Sequence, residues 1–593
     1  MCGIFGVRIS WLAEQAGDAD ARLQNALDLL RWRGRDDARI VRIGDFALGC
    51  ARLAISGMSS TQPAVLRGAR FAGVLNGAVT NARALWSKTR PRAARRALPN
   101  DAWLPPLLFA TGGVEALLGM TGHHALVVAD AARDEWAAVR DVFGEKPMFV
   151  LRDAGRPVAV ASTIPALRAL GAPFALGSDA VRRFFRYGST GSVAHEAGRF
   201  RAADEPQGFG TKAQSRSLEQ DGAEALPFRT SLERAVARCA DCEPSIGLYL
   251  SGGIDSSCLA AELAAQGRSV RSYQFVAQGQ PADERAIAAS VASHCGHRLV
   301  PVDGGPEVLD ALFDLTAMWG LPLGDPSLLA AHAVAKAAAA DGVRVMLSGE
   351  GADELLFGYS RHRAVSRMPA FRLPLPCVRG WSMGRDARIL RALASPHPYA
   401  ALLEVTPPMF RAQALAPRLA DVAGADDALL EQPARARGAT ASARLAHAAA
   451  VDRSFYLRAD LLPKLDVATM AAQIEGRCPF LDAEVVRAAA AIPVADRLGK
   501  RPLRRSYSNA LPAAVFAQRK RGFSLPLDRW FRGALPMLDL LRDVRTRQRP
   551  HLCATGLDRA IDLHRRGVAD LGHALFLVVA FETWLRTEEA RCA

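Results

Sequence analysis

The stretch that most constrains this chain is the junction at Ser251. An apolar, strand-like run from Ile246 to Leu250 stops at Ser251-Gly252-Gly253-Ile254-Asp255-Ser256-Ser257, and a helix-like run continues to Ala265. A Ser/Gly turn between strand and helix leaves the first helical N–H groups without intrahelical partners, and the missing Cβ atoms let an anion come close. The alternation then repeats as Val270 to Val276, Glu284 to Ser293, and Val343 to Leu347, which is the pattern of a parallel α/β sheet. A second Gly-rich turn, Ser348-Gly349-Glu350-Gly351-Ala352-Asp353-Glu354, follows the last of these runs. Acids at a strand end of this kind stand where open α/β sheets place ligands. Thr440 to Arg477 and residues 554–593 read as helix without strand signals. The expectation is an α/β parallel-sheet nucleotide-binding domain with a helical C-terminal part.

The first 170 residues read differently. Short apolar runs (Ile40 to Ile43, Phe71 to Leu75, His124 to Val128, Pro157 to Ala161) alternate with turn residues, which implies strands packed with a few helices, an α+β arrangement. From Gly191 to Leu226 the pattern breaks into Gly, Gln, Ser, Asp and Glu, an irregular boundary. We place the domains at 1–215 and 216–593, since a chain of 593 residues exceeds what one core organises. No run of about 18 apolar residues occurs, which argues against a membrane span. The start lacks a basic segment followed by an apolar one, so the cytoplasm is the expected location. Ten scattered cysteines, with Cys239 and Cys242 the only close pair, read as reduced thiols. The net charge of +15 raises a nucleic-acid reading. The basic residues are spread along the chain, however, and runs such as Arg90 to Arg96 read as solvated surface, so no nucleic-acid partner is expected. Only seven residues are Lys, so a Lys inside a motif carries information.

Cys2 directly follows Met1. Removal of the initiator Met would place a thiol and an α-amine on one residue, and that amine, with a reference pKa of about 8, can activate the thiol. Met1 to Val7 resembles the start of class II glutamine amidotransferases, and further pieces of that family follow in order: Arg33-Gly34-Arg35-Asp36, Arg52-Leu53, Asn76-Gly77, Asp101, and Arg140-Asp141 with Gly144, Lys146 and Pro147. The resemblance implies an N-terminal-nucleophile hydrolase sandwich with Cys2 as nucleophile, and Asn76 and Gly77 as the oxyanion hole. Arg52 would hold the glutamine α-carboxylate and Asp101 its α-amino group. Departures accompany the matches. Ala78 stands where the family has Glu, Trp32 and Cys50 replace His, Arg35 replaces Pro, Thr80 replaces an aromatic and Trp103 an acid. Losing one charge-assisted hydrogen bond costs roughly 1.5 to 3 kcal/mol, so Ala78 predicts weaker glutamine binding.

The Ser251 to Ser257 string resembles the pyrophosphate loop of enzymes that split ATP to AMP and pyrophosphate. It lacks the Gly-Lys-Ser/Thr of a Walker loop. With Ser348 to Glu354 and the block Asp460 to Asp482, which includes Lys464 and Asp466, it is similar to asparagine synthetases across nearly the whole chain. By that resemblance Tyr249, Leu250, Ser251, Gly252, Gly253, Asp255, Ser256, Phe275, Ser348 and Gly349 bind ATP, and Glu350 lies near the activated carboxylate. Asp255 and Asp353 would share Mg2+. Val467 stands where the family has a basic residue, which leaves Lys464 and Lys520 as candidates for the missing charge. Gly499-Lys500 and Arg519 to Phe523 follow the family's C-terminal pattern.

Together these motifs imply a carbon–nitrogen ligase that takes ammonia from glutamine through an internal tunnel to an acyl-adenylate. Its partners are small molecules: glutamine, ATP and an acceptor acid, aspartate foremost. The resemblance leaves room for a homodimer. The alternatives are the same chemistry on another acid in secondary-metabolite or polysaccharide pathways, a lactam-forming cyclase, or a binding protein without catalysis. Cys2 weighs against the cyclase, and the pair Asp255 and Asp353 against the binding protein.

Overall fold

The computed structural model describes residues 2–57, 60–66, 68–89, 98, 100–191, 200–202, 225–278, 283–368, 380–419, 440–517, 525–533 and 537–592. Arg90 to Arg96, Arg519 to Phe523 with Lys520, and the boundary expected at 215 lie outside the described residues.

Ten strands make up the N-terminal half: β1 (Cys2–Arg8), β2 (Asp37–Ile43), β3 (Phe46–Arg52), β4 (Ala64–Leu66), β5 (Phe71–Val79), β6 (Gly122–Asp130), β7 (Glu135–Arg140), β8 (Phe149–Asp153), β9 (Arg156–Ala161) and β10 (Phe200–Ala202). They form two antiparallel sheets, β10-β8-β9-β1-β3-β2 and β4-β5-β6-β7. Side chains alternate between faces with a period of two, and both faces of each sheet are apolar. Ile4, Leu48, Cys50 and Val160 of the first sheet meet Ala72, Val74, Ala125 and Val127 of the second in one buried cluster. The intervening residues face outward. Phe5, Val7 and Ala159 pack under helices Ala19–Asp28 and Ile164–Ala169, while Phe71, Leu75, Leu126 and Val128 pack under helix Leu104–Leu117. The layers therefore run helix, sheet, sheet, helix.

The C-terminal half is built on a parallel sheet of β11 (Ile246–Tyr249), β12 (Arg271–Ala277), β13 (Arg298–Gly304), β14 (Val345–Leu347) and β15 (Glu475–Arg477), in the order β13-β12-β11-β14-β15. Helices Ile254–Ala265, Asp283–His294 and Ser327–Ala340 alternate with its strands. The strand order reverses between β11 and β14, so the loops leaving these neighbours lie side by side.

Two sequence expectations are corrected here. Glu475–Arg477, read as helical, is a strand beside β14; three residues of Glu, Gly and Arg are too short and too polar to show a strand period. Phe200–Ala202, in the stretch read as irregular, adds an edge strand to β8. The remaining helical expectations hold in Ala441–Val451, Leu462–Met470, Ala554–Arg565 and Gly572–Cys592, with a π-helix over Asp452–Leu461.

The halves are docked. Leu53, Ile55 and Phe143 of the first join Leu248, Leu457, Leu461 and Leu465 of the second in one cluster. Arg344 pairs with Asp36 at 2.6 Å, and buried Arg33 pairs with buried Asp466 at 2.7 Å. The turn carrying Arg33 lies against β3 so closely that a Cβ on Gly34 would fall 2.3 Å from the Arg52 carbonyl carbon and 2.5 Å from the Ala51 oxygen. Backbone atoms cannot step aside. Gly34→Ala should therefore destabilise the protein by about 1–3 kcal/mol, whereas Gly380→Ala, whose Cβ would meet nothing within 4 Å, should leave the unfolding midpoint unchanged; denaturant titration of both variants checks this.

Candidate active site

Cys2 opens β1 on the inner face of the sandwich and is 2% exposed. On β5 the even-numbered residues share that face, so Asn76 and Ala78 lie near the same end of the sandwich. The Cys2 backbone N–H donates to Asn76 Oδ1 at 3.1 Å, and Gln62 Nε2 lies 3.5 Å from the Cys2 sulfur. Asn76 is fully buried, and its Nδ2 has no hydrogen-bond partner among the described residues. A buried amide donor without a partner is costly, and beside a nucleophile it is a ready-made oxyanion donor. Gly77 follows with φ +116°, and a Cβ there would sit 1.9 Å from the His123 carbonyl oxygen, so only glycine holds this turn in register.

Burial alone would push the Cys2 thiol up. A hydrogen bond from Cys50, the positive chain terminus, the Leu53 backbone and Arg52 outweigh burial and bring it down to about 7. Burial and the hydrogen bond to Cys2 move Cys50 the other way, well above the usual thiol range. One thiol is thus poised to ionise while its neighbour keeps its proton and donates. Cys50 was noted in the sequence only as a departure from His; no local pattern reveals that its side chain would meet Cys2, because the contact depends on the register that sets Ile4 opposite Cys50.

Arg52 and Asp101 converge on one loop. Arg52 donates to the carbonyls of Ser56 and Gly57 at 3.0 and 2.8 Å. The Ser56 hydroxyl lies 3.4 Å from Asp101 Oδ1, and the Val79 N–H donates to Asp101 Oδ2 at 3.0 Å. Burial raises the Asp101 carboxyl, opposed by that N–H. The segment after β7 is tied down by Asp141, whose carboxylate accepts from the N–H groups of His124, Phe143, Glu145 and Lys146.

The second centre lies at the reversal between β11 and β14. Gly253 caps helix Ile254–Ala265, and Gly252 has φ +80°. The Ser257 and Ser256 hydroxyls donate to the Gly253 carbonyl at 2.8 and 3.1 Å, closing the loop around its own N–H groups. The facing loop touches it: a Cβ on Gly349 would lie 3.0 Å from that of Asp255. Tyr249 ends β11 and its hydroxyl donates to the Ala331 carbonyl at 3.1 Å, while Phe275 lies on β12, with its side chain buried.

Between the loops sits a side chain that the site assignment from sequence left out. Lys500 Nζ lies 2.5 Å from Asp255 and 2.7 Å from Asp353, and the residue is 4% exposed. Burial would favour loss of its proton, but the two carboxylates outweigh burial and keep it charged. Gly358 makes the meeting sterically feasible, since a Cβ there would fall 1.8 Å from Asp353 Oδ1 and 2.1 Å from Lys500 Cε. The scarcity of Lys was a signal for Lys500; its partners were not readable. Asp255 and Asp353 thus converge on one cation, which is what two hard oxygen ligands of a divalent ion must do. Among the described residues no group of three or more His, Cys, Asp or Glu could hold a metal.

Lys464 is elsewhere. Its Nζ lies 3.1 Å from Glu350 and 3.4 Å from Asp325, and those two carboxylates hold it charged against burial. Val467 is buried in the core, so the charge absent there is not replaced at that position. A cavity of about 70 Å³, partly open to solvent, is lined by Met148 and Phe149 from the first half and by Trp319, Asp325, Asp460 and Lys464 from the second. Met148 also packs in the cluster that contains Cys2, and Lys464 pairs with Glu350, so the lining of this cavity includes neighbours of both centres. No helix among the described residues is long and apolar enough to cross a membrane.

The glutamine amidotransferase domain model matches residues 1–202, and the asparagine synthase model matches residues 227–586. The chain is 28% identical to a Mycobacterium tuberculosis protein provisionally designated an asparagine synthetase of the glutamine-hydrolyzing type, over 98% of this chain and 97% of that one. It is 22% identical to asparagine synthetase (glutamine-hydrolyzing) 1 of Bacillus subtilis, over 90% and 88% of the two chains. It is also 27% identical to the amidase chyE of Penicillium rubens, over 58% and 55%. With the larger of the two models covering most of its length, the chain belongs to the asparagine synthase family and carries that family's synthase region behind a glutamine amidotransferase domain.

Proposed function

We propose that the protein forms an amide from a carboxylic acid, ATP and glutamine, with aspartate as the acid and asparagine, AMP, pyrophosphate and glutamate as products. The observation that carries this reading is the convergence of Asp255, Asp353 and Lys500 on the Ser251 loop, in a chain whose other half holds a buried, acidified thiol beside a partnerless amide donor. The layer order of the first half supports an N-terminal-nucleophile hydrolase sandwich, with Met1 removed.

In the glutaminase half, the Cys2 thiolate attacks the carboxamide carbon of glutamine. Asn76 Nδ2 and the Gly77 N–H meet the oxyanion, ammonia leaves, and water releases glutamate from the thioester. Arg52 and Asp101 hold the two ends of the glutamine α-carbon. In the synthetase half, backbone N–H groups of Ser251 to Ser256 and the ammonium of Lys500 hold the β- and γ-phosphates, and Ser348 and Gly349 the remainder of the nucleotide. The acceptor carboxylate attacks the α-phosphorus and pyrophosphate leaves. Glu350, charge-balanced by Lys464, lies where ammonia then attacks the acyl carbon and loses a proton, and the bond to AMP breaks. Mg2+, held by Asp255 and Asp353, would neutralise charge on the departing pyrophosphate. The cavity along Met148, Phe149 and Lys464 is the route for ammonia. Its apolar walls, Trp319 and Leu328 among them, favour a second reading: the same chemistry on a larger acid.

Three outcomes test this. Cys2→Ala should end glutamate release from glutamine and spare AMP formation from aspartate with ammonium chloride; retained glutaminase would remove the nucleophile assignment. Asp255→Asn or Asp353→Asn should cut acid-dependent pyrophosphate release by about 100-fold or more while glutamate release persists, and ADP in place of AMP from the parent would overturn the adenylating reading. The pH profile gives the third. Cys2 must be a thiolate to attack, so kcat/KM for glutamine should rise with pH to about 7 and then level. Cys50→Ala removes a hydrogen-bond donor that favours the thiolate, so the rise should move to higher pH.

A further inference from the structure

Between Cys2 and Glu350 runs a path of polar contacts joined by one helix, and its Arg33–Asp466 link has no part in the proposed chemistry. Arg33 Nε donates to the Cys2 carbonyl oxygen at 3.3 Å, and the other two guanidinium nitrogens donate to the carboxylate of Asp466 at 2.7 and 3.0 Å. The Arg33 side chain is 0% exposed and that of Asp466 2%. Asp466 lies on helix Leu462–Met470, and the same helix carries Lys464, which reaches Glu350 at 3.1 Å. Residues two apart on a helix point about 200° apart around its axis, so this one helix touches the adenylating site on one side and the setting of the nucleophile on the other. Just beyond the helix, Gln473 donates to the backbone carbonyl of Trp32, in the same turn as Arg33.

What precedes the helix gives it room to move. Asp452–Leu461 is wound as a π-helix, whereas π-winding is rare, mostly a single turn, and frequent at functional sites. Its start is fixed: His362 Nε2, the Tyr399 hydroxyl and Arg361 all bond the carboxylate of Asp452. With that end held, any change of winding within Asp452–Leu461 must turn or shift Leu462–Met470. Asp460, late in the π-helix, lines the same cavity as Lys464, so a change in what occupies that cavity reaches the π-wound segment. A rigid element with two settings, biased from both ends, is the physical requirement for coupling between sites.

We propose that Asp466 is a positioning residue for the nucleophile: through Arg33 it ties the setting of Cys2 to the helix that carries Lys464, and so ties glutamine hydrolysis to occupancy of the adenylating site. The proposal rests on the amidotransferase reading of both centres. It assigns Arg33 and Asp466 no contact with substrate and no part in either chemical step.

The test uses the full chain, Asp466→Asn, and the double variant Arg33→Met with Asp466→Leu, which removes both buried charges together and so avoids leaving one unpaired. Glutamate release is measured with glutamine alone and with ATP, magnesium and aspartate added; AMP formation is measured with glutamine and with ammonium chloride; unfolding is followed in parallel. The parent should release glutamate faster when ATP and aspartate are present, with close to one glutamate per AMP. In both variants that acceleration should vanish and the glutamate-to-AMP ratio should rise about five-fold or more, with ammonium-driven AMP formation within about two-fold of the parent. Retention of the parent's ratio and acceleration in the double variant overturns the proposal. Loss of ammonium-driven synthesis in step with the glutamine-driven reaction overturns it too, since the pair would then be holding the fold. A parent that forms no AMP, or releases no glutamate, instead defeats the amidotransferase reading itself.

Discussion

Arg33 and Asp466 stand 433 residues apart in the chain and meet with both charges out of water. Taking a guanidinium and a carboxylate out of water costs several kcal/mol each, and only close, doubly hydrogen-bonded pairing offsets it. Such a pair contributes little net stability, but a misdocked arrangement would leave each charge buried alone, so it fixes how the halves fit. The same logic recurs across the junction. Lys146 Nζ donates to the Gly476 carbonyl at 2.9 Å, and His123 Nε2 lies 2.9 Å from Glu475. Burial drives His123 down to about 4, so it is neutral and donates its Nε2–H, while Arg477 and the chain terminus keep Glu475 ionised against burial. These contacts grip β15, and the carbonyl of its last residue, Arg477, accepts from the Ser348 N–H at 2.9 Å. The first half thus supports the strand that flanks the Ser348 loop.

Within the synthetase half, charge crowding decides the arrangement of that loop. Asp255 and Asp353 come from neighbouring strand ends and would repel across a gap that the glycines at 349 and 358 make narrow. The Lys500 ammonium between them, 2.5 Å from Asp255 and 2.7 Å from Asp353, offsets that repulsion. Lys500 itself is held by backbone geometry: it caps helix Arg501–Tyr507 with φ +60°, and its N–H donates to the Leu356 carbonyl at 3.0 Å. A non-glycine residue rarely takes this conformation, and here it delivers a buried cation between Asp255 and Asp353.

Much of this was legible in the sequence, for identifiable reasons. Strands β5, β6, β11, β12 and β14 are apolar over enough residues for a period or a run to register, and the Ser251 turn declares itself by composition. Edge strand β13 is mostly half-exposed and contains Pro301, so its apolar signal is weak; β15 is three residues long, and its burial depends on partners such as His123, 352 residues away. Single-sequence reasoning sees neighbours along the chain. Asp255 and Glu350 could be singled out because each sits in a local motif, whereas Lys500 and Cys50 meet residues remote in sequence, Asp255 and Cys2, that only the fold brings to them.

The two centres solve one electrostatic problem in opposite ways. Both need an anion in a place with little water, and an unpaired anion there is costly. At the Ser251 and Ser348 loops a permanent cation, Lys500, supplies the compensation. At Cys2 no lysine or arginine hydrogen-bonds the sulfur among the described residues; the compensation comes from a thiol donor, backbone and side-chain N–H groups, and the more distant charges of Arg52 and the chain terminus. Dipolar compensation of this kind stabilises the thiolate less than a bound cation would, which leaves the thiol near neutrality instead of fully ionised. That suits the nucleophilic role proposed for Cys2, because a sulfur too strongly stabilised as an anion loses its reactivity. The apolar lining of the sandwich, Ile4, Val74 and Ala125 beneath the sulfur, keeps the balance where it is: it excludes the water that would otherwise solvate the thiolate and blunt its attack.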